Sequence, residues 1–221
     1  MKNIRRHWAL FLFLLFPGVL QAENDSPWEK SRSPQLGQLL RELNQQYGPD
    51  TVSLMSWLNE ASIHSGSVLT SSIQVNGKET RENITFLVFQ VETGIIFNTQ
   101  TVDQAGRLIA LWEKILAKAF SHFDTLRVPA DGVTVILLSH CQSFPETDNL
   151  SDHVDEPGPI EEVKFYFPGE SLREYLGKQL SAQALLARTQ VFINGAPVNY
   201  PSLSGATTTD ATIIFREISH L

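Results

Sequence analysis

The sequence predicts an α+β fold: a mainly antiparallel sheet with two packed helices in a split β-α-β-like order, preceded by an N-terminal helical segment. Three observations predict it. Apolar residues recur every three or four positions through Leu58, and every second position from Ser67 onward. Two runs, Ile84–Val91 (ITFLVFQV) and Val133–Leu138 (VTVILL), are apolar at nearly every position, the pattern of strands covered on both faces. From Ile84 the order then reads strand–helix–strand–strand–helix–strand, with a hairpin before it. A hydrophobic share of 42% against 19% charged residues excludes a disordered or low-complexity chain.

Residues 1–22 (MKNIRRHWALFLFLLFPGVLQA) have the layout of a secretory signal peptide. Lys2, Arg5 and Arg6 form a basic start, Trp8–Phe16 is apolar, Pro17-Gly18 breaks the helix, and Ala22 offers a small residue for cleavage. Even stretched to Leu20 the apolar run is about 13 residues, short of the ~20 that a spanning helix needs. The segment carries three basic residues and no acidic one. Its removal leaves 14 of the 17 basic residues against 24 acidic ones, a net charge of −10. The mature chain is therefore expected to be exported, soluble and acidic, periplasmic in a Gram-negative cell and otherwise secreted. Nucleic acid is not an expected partner, because nothing in such a charge balance draws a phosphate backbone. No stable membrane insertion of the mature chain is expected either.

Residues 23–66 read as a polar linker followed by the helical segment. Ser33-Pro34 opens a helix with Leu36, Leu39, Leu40, Leu43 and Tyr47 on one face, and Gly48-Pro49 ends it. A second helix follows Asp50, with Val52, Met55 and Leu58 on one side. Residues 67–221 form the α+β domain. There Asn76-Gly77 is the expected hairpin turn, since both residues accept positive φ. Thr101–Phe123 is the longest expected helix, opened by a Thr101/Gln104 capping box. Val163, Phe165 and Phe167 alternate with Lys164 and Tyr166 in a half-exposed strand, and Ser171/Glu174 form a second capping box. Asn194-Gly195 turns a C-terminal hairpin that Thr212–Ile218 is expected to close. This last stretch, residues 191–218, resembles the end of the small sulfur-carrier proteins of the β-grasp type. The resemblance implies a hairpin and a final strand. The family's functional Gly-Gly has Ser219-His220-Leu221 in its place here, so carrier chemistry is not expected.

Two constellations carry candidate chemistry. Ser139-His140-Cys141 stands at the end of the Val133–Leu138 strand, where a thiol beside an imidazole can act as a nucleophile. Neighbouring strand residues point to opposite faces, so His153 across the following loop is an alternative base to His140. That loop, 145–162, holds seven acids around His153. Asp148, Asp152, His153 and Asp155 are its candidate metal ligands, hard oxygens and an imidazole suited to calcium or zinc. The spacing matches no calcium-loop signature, and no cofactor is expected. A single cysteine excludes both an internal disulfide and a cysteine-rich zinc site. Three functions follow in order of preference. The first is a non-catalytic binding or interaction protein of the cell envelope, engaging an envelope protein or a small ligand. The second is a Cys/His-dependent hydrolase or thiol enzyme centred on Cys141, and the third a metal-binding protein using the acidic loop.

Overall fold

A computed structural model describes residues 34–62, 73–143, 145, 158–200 and 213–215, the side chains of 34–36 and 213–215 excepted. The chain opens with two helices, α1 (Pro34–Tyr47) and α2 (Pro49–Ser62). Gly48 separates them at φ +88°, a left-handed conformation that glycine adopts without penalty, and its N–H returns to the Asn44 carbonyl at 2.9 Å. Pro49 then occupies the first helical position of α2, where its missing N–H costs nothing. Val52, Leu54, Met55 and Leu58 of α2 are buried in the same core as the sheet.

The sheet runs β1-β2-β3-β4-β5-β6, with β7 also beside β2. Its strands are β1 (Ile73–Arg81), β2 (Ile84–Asn98), β3 (Gly132–Gln142), β4 (Ile160–Pro168), β5 (Gln190–Ile193), β6 (Ala196–Val198) and β7 (Ile213–Phe215). Only the β2–β3 pair is parallel, so the described sheet is mainly antiparallel, as predicted. β2 and β3 are direct neighbours joined by the long helical crossover, with no strand between them. β1 lines the first part of β2 and β7 pairs with Ile95–Phe97, on the edge that β3 leaves open. The final strand therefore does not close the C-terminal hairpin. It crosses to β2, whose apolar Ile95–Phe97 segment offers an unpaired backbone there.

The Asn76-Gly77 expectation also fails. These residues form a bulge within β1, where the register with β2 slips between Val75 and Lys78 and Gly77 takes φ +81°. The chain reverses instead at Glu82-Asn83, with φ of +50° and +66°. Tolerance of positive φ fits a bulge as well as a turn.

The crossover comprises α3 (Gln104–Leu111), a π-helical turn at Trp112–Leu116 and α4 (Ala117–Phe120). The Ala117 N–H reaches back five residues to the Trp112 carbonyl, the bond that defines the wide turn. Asp103, not Thr101, caps α3: its carboxylate accepts the Gly106 N–H at 2.7 Å. The second predicted capping box is absent too. Helix α5 (Gly169–Leu176) starts after Pro168 with no side-chain cap, and Ser171 is buried within its first turn. A short α6 (Ala182–Ala187), capped by Ser181, precedes β5.

Strand alternation decides what faces the helices. Leu87, Phe89 and Val91, Val133, Val135 and Leu137, and Val163, Phe165 and Phe167 point into the helical layer. Trp112 meets Phe120 and Phe167 at ring-centroid distances of 6.4 Å and Tyr175 at 5.8 Å. Full burial of an apolar side chain such as Phe120 or Phe167 contributes about 1.5–3 kcal/mol. On the opposite face the Arg81 guanidinium lies 4.4 Å over the Phe192 ring and 5.3 Å over that of Tyr166. No helix among the described residues is long and apolar enough to cross a membrane.

Candidate functional site

The site builds on the last turn of the pleat in β3. Leu137 points into the core, so Ser139 and Cys141 share its face, while Leu138 and His140 take the other. Ser139 lies opposite Glu161 of β4, and Cys141 opposite Phe97 of β2. Beside them the β2 register slips between Glu92 and Ile96, which brings Thr93 inward. The Thr93 hydroxyl donates to the Leu138 carbonyl at 3.0 Å, so the Ser139 hydroxyl, 2.8 Å away, donates to it in turn. Both hydroxyls are buried and satisfied.

Glu161 would be an isolated buried carboxylate without Arg107. The α3 guanidinium binds it with two parallel bonds, Nε to Oε1 at 2.8 Å and Nη2 to Oε2 at 2.7 Å. Nη1 donates to the Val102 carbonyl at 3.1 Å, which fixes the fork. The two side chains retain only 13% and 9% of their exposure. The hydrogen bonds that Arg107 donates to Glu161 raise its pKa above the ordinary value.

Cys141 leans on this pair. Burial pushes its thiol up to about 11; the negative charge of Glu161 and a hydrogen bond to it act in the same direction, against the pull of Arg107. At neutral pH the sulfur is therefore a protonated thiol, which is a poor nucleophile and a poor soft-metal ligand.

His140 faces away from this cluster. Its Nδ1 lies 2.9 Å from the Gly158 carbonyl, and since a carbonyl only accepts, Nδ1 carries the proton. The same Gly158 explains how the acidic loop rejoins the sheet. A Cβ there would stand 2.3 Å from the Cys141 carbonyl oxygen, and the Cys141 N–H donates to Pro159 at 2.9 Å. Glycine is required at that crossing. His153 and the metal candidates Asp148, Asp152 and Asp155 lie outside the described residues. Two other acids of the loop already have cations, Glu161 through Arg107 and Glu162 through Lys164 at 3.4 Å. Among the described residues no group of three or more histidine, cysteine or acidic side chains is arranged to hold a metal.

The structure thus joins Cys141 to Glu161 and Arg107 and turns His140 away. Arg107 is the residue that sequence reasoning missed. It belongs to α3, and nothing local pairs it with a carboxylate 54 positions later. Comparison with protein-family models, with curated proteins and with solved structures finds no match for this chain.

Proposed function

We propose that this chain is an exported, soluble, non-catalytic binding protein of the cell envelope, engaging an envelope protein or a small ligand. One observation carries the non-catalytic part of this reading: the carboxylate beside the half-buried thiol at the end of β3 is engaged bidentately by Arg107, and burial pushes the thiol's pKa up rather than down. A thiol enzyme needs the reverse, a lowered pKa and a base within hydrogen-bond reach. His140, the neighbour in sequence, donates to a backbone carbonyl on the other face. Export is supported by the basic, apolar and small-residue succession of residues 1–22.

Alkylation of the folded protein tests the thiol: Cys141 should react only after denaturation. Rapid labelling of the native protein, or turnover of a substrate abolished by Cys141→Ala, would favour the enzyme reading. Cross-linking in envelope extracts tests the binding role, and wild type and Cys141→Ala should capture the same partner. Repeated failure to capture one, together with silence in small-ligand titrations, removes the proposal. Export predicts a mature N-terminus at Glu23.

A further inference from the structure

At the opposite end of β3, where the chain enters the strand, lies a cavity of about 230 Å³. Its floor is apolar: Leu126, Val133 and Leu172 are 7%, 1% and 2% exposed. Arg127 and Arg173 also line it, and both are exposed to solvent. These two guanidinium groups differ from others in the chain. Arg107 and Arg188 hold carboxylates, and Arg81 holds Gln190 and stacks on two rings. Neither Arg127 nor Arg173 has a side-chain ion pair among the described residues. Two nearby carboxylates each accept a backbone N–H. Asp50 accepts the backbone N–H of Arg127 at 2.7 Å, and Asp131 that of Thr85 at 3.0 Å. The Arg173 side chain folds back along α5, with Nη1 3.5 Å from where a Cβ on Gly169 would stand, which sets the guanidinium at the cavity.

We infer that this cavity binds a small organic carboxylate with a short apolar body. Arg127 and Arg173 hold the carboxylate, and the body lies on Leu126, Val133 and Leu172. The arginine fork matches the two oxygens of a carboxylate, and the apolar floor gives nothing to a fully hydrated inorganic anion. This inference rests on the binding reading above and names the ligand class for its small-ligand arm.

The test titrates hexanoate into the purified protein and follows backbone amide shifts. Hexanol serves as the uncharged analogue and inorganic phosphate as the anion without an apolar body. Hexanoate should give saturable shifts confined to residues 126–133 and 169–173, with hexanol and phosphate each at least about tenfold weaker. Arg127→Met and Arg173→Met should each weaken hexanoate by about tenfold, the equivalent of one charge-assisted hydrogen bond. Both residues are exposed, so both variants should melt with the wild type. Absence of saturable shifts, equal binding of phosphate or hexanol, or unchanged affinity in both variants would overturn the inference. Capture of an envelope partner alongside a negative hexanoate titration would sink this inference alone and leave the binding reading standing.

Discussion

The two ends of β3 treat charge in opposite ways. At Cys141, Arg107 and Glu161 are nearly buried, bound to each other through two bonds, and lie beside the thiol. At Gly132, nine positions upstream, two arginines border a cavity with no carboxylate partner among the described residues. A buried charge without a partner is costly, so neither member of the first pair can be lost alone. An exposed, unpaired arginine costs almost nothing and stays free to meet a ligand. The more reactive-looking end in sequence is thus the one whose charges are paired, and the plainer end is the one with unpaired cations.

The largest test of this contrast is Arg107→Met. It leaves Glu161 buried without a partner and should cost about 3–5 kcal/mol, read as a lower urea midpoint at unchanged slope. Replacing both partners, Arg107→Met with Glu161→Leu, should recover most of the loss, because no unpaired charge remains. A loss under about 1 kcal/mol in the single variant would show the pair to be solvated, in the range of surface pairs.

Next come the glycines, which make the two ends alike. A Cβ on Gly158 would stand 2.3 Å from the Cys141 carbonyl oxygen, and one on Gly169 2.3 Å from that of Asp131. Backbone atoms yield little, so Gly158→Ala and Gly169→Ala should each cost about 1–3 kcal/mol in denaturant unfolding. If only Gly158→Ala destabilises, the cavity end is the looser structure and adjusts around its ligand.

A smaller effect follows from the thiol. Its folded pKa of about 11 exceeds the ordinary 9.0. From pH 9 to 11 the unfolded chain loses a proton that the folded one retains, so stability is fully present below pH 9 and falls as pH rises through this window. With allowance for partial exposure the loss is about 1 kcal/mol. Tyr175 and Tyr200 are also raised by burial and add their own alkaline loss, so the informative quantity is the difference between wild type and Cys141→Ala. The variant should lose less stability over that window. Equal slopes would mean that the thiol is solvated.

The layer architecture was legible because it depends on periodicity alone. Val163, Phe165 and Phe167 alternate in sequence and all point into the core. Asn194-Gly195 is a turn at φ +48° and +79°, as its residues predict. Local chemistry was ambiguous where one preference serves two structures, as at Asn76-Gly77, and where a better cap lay two residues on, as with Asp103 over Thr101. The sites were least legible. Arg107 meets Glu161 across 54 positions, and the cavity gathers residues 126–133 and 169–173 from separate elements. Such pairings depend on strand order and register, and apolar spacing carries neither.

The smallest expected stability change discriminates most sharply between the two ends. Arg127→Met and Arg173→Met remove exposed cations that hold no carboxylate among the described residues, so each should change unfolding free energy by no more than about 0.5 kcal/mol. An unpaired cation near another is mildly repulsive, and the sign can even be stabilising. Placed beside the 3–5 kcal/mol expected for Arg107→Met, this asks whether three arginines near one strand do two different jobs. If Arg173→Met were as damaging as Arg107→Met, its stem would be packing the cavity wall, and its guanidinium would be held rather than available. If it is silent in unfolding yet weakens hexanoate about tenfold, stability and binding separate along β3, with the fold secured at one end and recognition at the other.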